Sequence, residues 1–140
     1  MAGTVRKILE APKTLRSIPI SAAVVVDKTM YISGQIGQDS TGKLVSSDIK
    51  DQTHQVLRNM RDILKRHGCD YSNVVKTTVF MADIKEFAQV NEVYRKYFPS
   101  DFPARSAFQV SVLPMNARVE IEAIAIVGPI VDAAAIQSKL

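Results

Sequence analysis

The chain has 140 residues, 46% of them apolar and 23% charged, with a formal net charge of +4 at neutral pH. That is the length of one domain with an ordinary core, and the composition falls in the range of globular domains. No run approaches the roughly 20 apolar residues of a membrane span, the mild basicity permits an anionic partner without requiring nucleic acid, and the single cysteine, Cys69, excludes an intrachain disulfide. A Cys/His zinc site is disfavoured, because Cys69 is joined only by His54 and His67.

In chain order, the basic N-terminal segment has some likeness to a transit peptide but lacks the apolar core of a secretory signal. Within it, Val5–Leu9 reads as a first strand leading into a Pro-containing turn. Ala22–Val26 and Thr29–Ser33 read as a hairpin that closes on Asp27-Lys28. The stretch "YISGQIGQD", residues 31–39, ends that strand in a glycine-rich turn. It lacks the GK[ST] ending and the following helix of a phosphate loop, but Gly34 would let a ligand approach the backbone closely.

Ser47–His67 has helical period, with Val56, Leu57, Met60, Ile63 and Leu64 on one side, Asp48 near its start and Gly68 past its end. Lys50, His54, Arg58, Arg61 and Lys65 form a basic stripe on it. The stripe is either a solvated face or a contact to a phosphate backbone, and it carries none of the aromatics that sequence-tolerant RNA binding adds. Cys69 reads as a half-buried helix-end thiol, since nothing in the sequence guarantees a base against it.

Val74–Met81 is the next strand. Ile84–Phe98 is the second helix, marked by Phe87, Val90, Val93, Tyr94 and Phe98 and stopped by Pro99 and Pro103. Ser106–Leu113 and Val119–Val127 complete six strands in the order β-β-β-α-β-α-β-β. This predicts an α+β domain, a six-stranded mixed sheet with both helices on one face, spanning residues 1–140 with a short tail at 136–140. The other sheet face would lack cover in a monomer, which predicts association.

Two positions invite chemistry. Arg105, where a Pro-rich loop enters a strand, is either a structural or solvated arginine or a carboxylate clamp, for which its rigid fork is suited. Glu120 and Glu122, two apart in "VEIEAIA", share the strand face opposite Val119, Ile121, Ala123 and Ala125. Either both face solvent on an edge strand, or one orients and deprotonates a water, aided by a pKa raised through partial burial. Two like charges on one face predict a nearby base, Arg105 or Arg118, with Glu122 the member expected to form a structural ion pair.

Taken together, "YISGQIG", "GCDYSNVVKTTVFMADIKEFAQVNEVYRKYF", "FPARSAFQVSVLP" and "VEIEAIA" resemble the Rid (reactive intermediate deaminase), or YjgF-like, family from about Val5 to Pro129. The resemblance implies a chorismate-mutase-like YjgF fold and a homotrimer with an inner barrel and a ligand cleft at each subunit interface. It implies hydrolysis of small enamines and imines, such as 2-aminoacrylate, 2-iminopropionate and 2-iminobutyrate, to 2-keto acids and ammonia, without metal or organic cofactor. The family's carboxylate-binding arginine falls on Arg105 and the glutamate of the attacking water on Glu120. Its cleft residues fall on Ser33, Gly34 and Asn91, and its ligand-bonding strand edge on Ala107. Where the family usually reads "IGPYSQAV", this chain has "SIPISAAV", so Ile18, Ile20 and Ala22 stand in place of a glycine, a cleft-lining tyrosine and a glutamine. That departure predicts a more apolar cleft, with catalysis weakened, substrate size changed, or a binding protein left. The alternatives are an endoribonuclease or translation inhibitor, and a non-catalytic small-ligand binding or holdase-like protein. The closing Ser138-Lys139-Leu140 matches a peroxisomal address; cytoplasmic or mitochondrial residence is the alternative.

Overall fold

The computed structural model describes residues 2–137, so Ser138-Lys139-Leu140 lies outside the described residues. Six strands form one sheet: β1 (Arg6–Glu10), β2 (Ser21–Val26), β3 (Thr29–Gln35), β4 (Val74–Met81), β5 (Ala104–Gln109) and β6 (Val119–Ile126). Their spatial order is β1-β2-β3-β6-β4-β5. Every neighbouring pair is antiparallel except β4–β5, which is parallel. That parallel pair needs a crossover, and α2 (Phe87–Tyr97) supplies it.

The first helix, α1 (Ile49–Lys65), begins where Asp48 accepts hydrogen bonds from the Lys50 and Asp51 N–H groups at 2.8 and 3.1 Å. These satisfy two of the four orphan donors at the helix start. It ends beside Gly68, whose φ of 70° takes the left-handed conformation favoured after a helix. Val56, Leu57, Met60 and Leu64 are fully buried against the sheet. Truncating one of them to alanine costs about 2–5 kcal/mol.

Both helices lie on the same sheet face, as the element order predicts. The core is built from the strand residues that point toward them: Val25, Met30, Ile32, Val79, Met81 and the Val119, Ile121, Ala123, Ala125 row. Neither α1 nor α2 covers the opposite face. A row of register partners crosses it: Ile8, Val24, Tyr31, Ile124 and Lys76. Tyr31 is 51% exposed and Ile8 47% exposed there, so the apolar face expected from the sequence is present and unpartnered within one chain.

Several boundaries differ from the sequence reading. The fifth strand starts at Ala104 and stops at Gln109, and Pro114–Asn116 forms a 3-10 turn farther along. The second helix starts later: Ile84–Glu86 is a 3-10 turn capped by Asp83, and the α-helix begins at Phe87. β3 runs on to Gln35, past the expected end at Ser33. A short helix α3, Ala133–Gln137, was not anticipated.

Candidate functional site

On β6, residues alternate between the two sheet faces, and Glu120 and Glu122 point away from the helices. Glu122 is exposed, whereas Glu120 is half-buried because β3 folds against it. The β3–β6 register shifts between Ile32 and Gln35, so Ser33 and Gly34 leave the regular ladder. At Gly34 the missing side chain matters. A Cβ built there would lie 2.9 Å from Glu120 Cδ and 3.0 Å from its Oε1. The carboxylate rests against bare backbone, in space that any other residue would fill.

Burial pushes the Glu120 carboxyl above its ordinary value, and the Glu122 charge adds to the rise. No side chain or N–H of the described residues donates a hydrogen bond to Glu120. The expected ion pair of Glu122 is absent among the described residues. Arg118 instead pairs with Glu86, through Nε at 2.7 Å and through Nη2, because its own backbone lies at the start of β6, close to the 3-10 turn that carries Glu86. Arg105 is drawn elsewhere, as described below.

Glu120 lines a cavity of about 830 Å³ bordered by the 11–20 loop and by α1. Ile18, Ile20, Ala22, Ser33 and Gly34 line it with Glu120. The structure therefore brings Ser33, Gly34, Ile20 and Glu120 together. The loop is held by Arg16, whose Nε donates to the Ala11 carbonyl at 3.3 Å and whose Nη2 pairs with Glu10 at 3.2 Å. Ser33 Oγ donates to the Ser21 carbonyl at 2.7 Å, tying the glycine turn to the end of that loop. Ile20 adds an apolar side chain to this lining.

Arg105 lies elsewhere. On the edge strand β5 it is the register partner of Thr77, which in turn pairs with Ala123. Thr77 and Ala123 are buried beneath the helices, so Arg105 belongs to the helix side of the sheet. Its guanidinium carbon stands 4.8 Å from the ring centroid of Tyr94 and 5.3 Å from that of Phe87, both on α2. Among the described residues it makes no ion pair and no side-chain hydrogen bond. Ala107 partners Val79 on the same side, and beyond β5 the sheet has no further strand.

Asn91 lies four residues after Phe87 and three before Tyr94, so the three share one stripe of α2. Its Oδ1 is buried and has no hydrogen-bond partner among the described residues, which is costly unless something else donates to it. The sequence-predicted site thus divides. Ser33, Gly34, Ile20 and Glu120 form one group; Arg105, Asn91 and Ala107 form another on the opposite side of the sheet. Glu120 itself partners Phe80, which meets Phe108 edge-on at 5.4 Å.

The other candidate chemistry dissolves into structure. Of the basic stripe, Lys50 pairs with Glu92 at 2.9 Å, and Arg61 and Lys65 pair with Asp70 at 3.2 and 2.9 Å. His54 Nδ1 shares a 2.8 Å hydrogen bond with the Tyr97 hydroxyl, and burial lowers its pKa. Cys69 is 2% exposed, and burial pushes its thiol up, the reverse of an activated nucleophile. No cluster of three or more His, Cys, Asp or Glu suited to a metal occurs among the described residues.

Sequence reasoning missed Phe87 and Tyr94 as neighbours of Arg105. Their helical spacing marked them only as core, and the parallel β4–β5 pairing that sets Arg105 above them is not legible in a periodicity.

The fold and this site define a class: a small α+β chain with, among its described residues, an unpaired acid on one face of its sheet, an unpaired guanidinium on the other, and an apolar face uncovered within one chain. The chain belongs to the Endoribonuclease L-PSP family, the Rid or YjgF-like family, which matches residues 10–127. It is 53% identical over 135 residues to human "2-iminobutanoate/2-iminopropanoate deaminase", covering 95% of this chain and 98% of that protein. Among solved structures, the Rid-family protein YyfA from Yersinia pestis superposes with a TM-score of 0.82 at 42% identity, covering 88% of this chain and 100% of that one. Escherichia coli TdcF with bound serine superposes with a TM-score of 0.75 at 33% identity, covering 86% and 94%.

Proposed function

We propose that this chain hydrolyses small 2-imino acids, such as 2-iminopropanoate and 2-iminobutanoate, and the related enamine 2-aminoacrylate, to 2-oxo acids and ammonia. The relatives named for that activity support the reading. The observation that carries it is the pair of incomplete half-sites: a half-buried carboxylate and a half-buried guanidinium, neither with an ionic partner among the described residues. The two face opposite sides of one sheet, so one substrate can meet both only between two copies. A homotrimer closed through the apolar sheet face, with three such clefts, is the assembly we propose.

The Arg105 fork holds the substrate carboxylate and fixes the adjacent imine carbon. A water held by Glu120 of the neighbouring copy adds to that carbon, and the carboxylate takes its proton. The resulting carbinolamine carries an N–H group that the orphan Oδ1 of Asn91 can accept. Glu120 returns that proton to the nitrogen, then takes the carbinolamine hydroxyl proton and delivers it to the same nitrogen, so that the C=O bond forms as the C–N bond breaks, giving the 2-oxo acid and ammonia. One water is consumed and no electrons change hands. Imines hydrolyse unaided at useful rates, so the ~10²–10⁴-fold that one positioned acid–base group supplies is sufficient.

Complementation tests the shared site. Arg105→Ala and Glu120→Gln each lose all but a small residual activity. Refolded together in equal amounts, they regain about one quarter of wild-type activity, because a quarter of the interfaces receive both intact residues. No recovery in a mixed assembly shown to form would place both residues in one chain's site and reject the arrangement.

RNA binding is not favoured, since most of the basic stripe already has acidic or aromatic partners. An RNA affinity falling steeply with salt would revive it. Peroxisomal import through Ser138-Lys139-Leu140 is a separate proposal, tested by a fluorescent fusion of residues 131–140; a fusion that stays cytosolic rejects it.

A further inference from the structure

Arg105 is the only group proposed to bind the substrate carboxylate, yet no acidic residue among the described ones pairs with it. What holds it is aromatic. Its guanidinium carbon lies 4.8 Å from the Tyr94 centroid and 5.3 Å from that of Phe87, within the range of a cation–π contact. Tyr94 is 4% exposed, and its hydroxyl shares a buried 2.8 Å hydrogen bond with Thr77 Oγ1. Thr77 is the residue beside Arg105 on the neighbouring strand. The ring is therefore anchored to the same sheet position that it serves. Tyr94 also stacks on Phe98, with centroids 4.7 Å apart, so it has little freedom to tilt. Phe87, at the first position of α2, is less buried and packs against the core from the solvent side.

A guanidinium can be fixed through its edges, by hydrogen bonds to a carboxylate, or through its face, by a π-system. Fixing it through the edges consumes the donors a ligand would need. Here the face is occupied and the edges are free. Burial raises the Tyr94 phenol above its ordinary value, so it stays neutral and offers no rival negative charge.

We propose that Phe87 and Tyr94 are positioning residues for the reaction: an aromatic platform that restrains Arg105 by its face and leaves its fork open toward the substrate carboxylate. This rests on the function proposed above. It assigns to α2 a task that the fold alone does not require, since an aliphatic residue would fill the same core space.

The test is a double-mutant cycle on the assembled protein, followed by kcat and KM for 2-iminobutanoate, with melting temperature measured in parallel. Phe87→Leu keeps apolar bulk and removes the π-face. It raises KM about fivefold and leaves kcat within about twofold, because the platform supports carboxylate binding equally before and during reaction. Phe87→Tyr, which restores an aromatic face, recovers most of the loss. In the Arg105→Ala background, Phe87→Leu has no further effect on the residual kcat/KM, since there is no guanidinium left to position. A structural role would lower activity by the same factor in both backgrounds. That additive result, or an unchanged KM in Phe87→Leu itself, overturns the platform while leaving Arg105 in place. If Arg105→Ala alone retains wild-type kcat/KM, it is the underlying function that fails. Tyr94→Phe provides the second arm: it keeps the ring and loses the Thr77 hydrogen bond, so its KM stays below that of Phe87→Leu. A larger rise would mean that the hydroxyl, rather than the face, carries the effect, and the platform would be rejected.

Discussion

Replacing Gly34 with alanine separates catalysis from stability. The new methyl would lie 2.9 Å from Glu120 Cδ and 3.1 Å from its Cγ. Carbon atoms rest at about 3.5–4.0 Å, so the carboxylate must retreat by roughly 0.6 Å or more. The atom that moves is the end of a flexible side chain facing a cavity, so the retreat is cheap. Gly34 also lies outside the set of left-handed glycines, Gly42, Gly68 and Gly128, so alanine fits its backbone. A compatible Gly→Ala substitution gains about 0.4–1 kcal/mol through the unfolded chain, and the net change in stability should stay within about 1 kcal/mol. Turnover is a different matter, because misplacing a reacting group by about 1 Å costs on the order of 10²-fold. At 1.36 kcal/mol per decade this is about 2.7 kcal/mol of transition-state stabilisation. The assay generates 2-iminobutanoate freshly and follows release of the 2-oxo acid, with thermal unfolding run on the same samples. A Gly34→Ala protein with a normal melting temperature and activity within about threefold of wild type would refute the reasoning, since the general base would then tolerate displacement far better than positioned catalysis allows.

Three further outcomes follow from the geometry. Burial first and Glu122 second raise the Glu120 pKa above 4.5. A base must be deprotonated, so activity rises with pH through that raised value, and Glu122→Gln should move the acidic limb of kcat/KM downward without removing it. For stability the sign is opposite: folded Glu120 binds its proton more tightly than unfolded chain does, so its contribution is lost as pH climbs from 4.5 through the raised value. Ile20→Tyr places a phenol on the lining of the cavity that Glu120 also lines, and should raise the rate with short imino acids or shift the range of side chains accepted; identical kinetics over substrates of several sizes would show that the position is silent. At Asp70, burial works to raise the carboxyl, but hydrogen bonds from Lys65, the Tyr71 N–H and Arg61 prevail and hold it at about 2. Asp70→Asn keeps the cap and loses the ion pairs. After allowance for solvent screening it should cost about 0.5–1 kcal/mol at neutral pH, a difference present above 3.8 and gone once pH falls below about 2, as melting temperatures against pH would reveal.

Much of this was legible from residue order. The alternation in Val119–Val127 revealed both the buried face and the face that carries the glutamates, and the spacing of Val56, Met60 and Ile63 found α1 to within two residues at either end. The unpartnered sheet face followed from counting elements. The faces of Arg105 and Glu120 were not legible, because which side a strand residue takes depends on its register with neighbours far away in sequence. Arg105 was assigned by β4, Glu120 by β6 and its bulged partner β3. The ion pair expected for Glu122 failed for a related reason. Like charges two apart on a strand do call for a base, but Arg118 sits beside the turn carrying Glu86, a proximity created by the fold. Phe87 and Tyr94 looked like ordinary core, since an aromatic that packs and an aromatic that holds a cation share one pattern in sequence.

In the proposed assembly the sheet is a wall with a hand on each side, and the two hands meet only across neighbouring copies. Such an enzyme would sense its own abundance: diluted until copies part company, it would fall silent with every residue intact, and crowding it again would switch it back on.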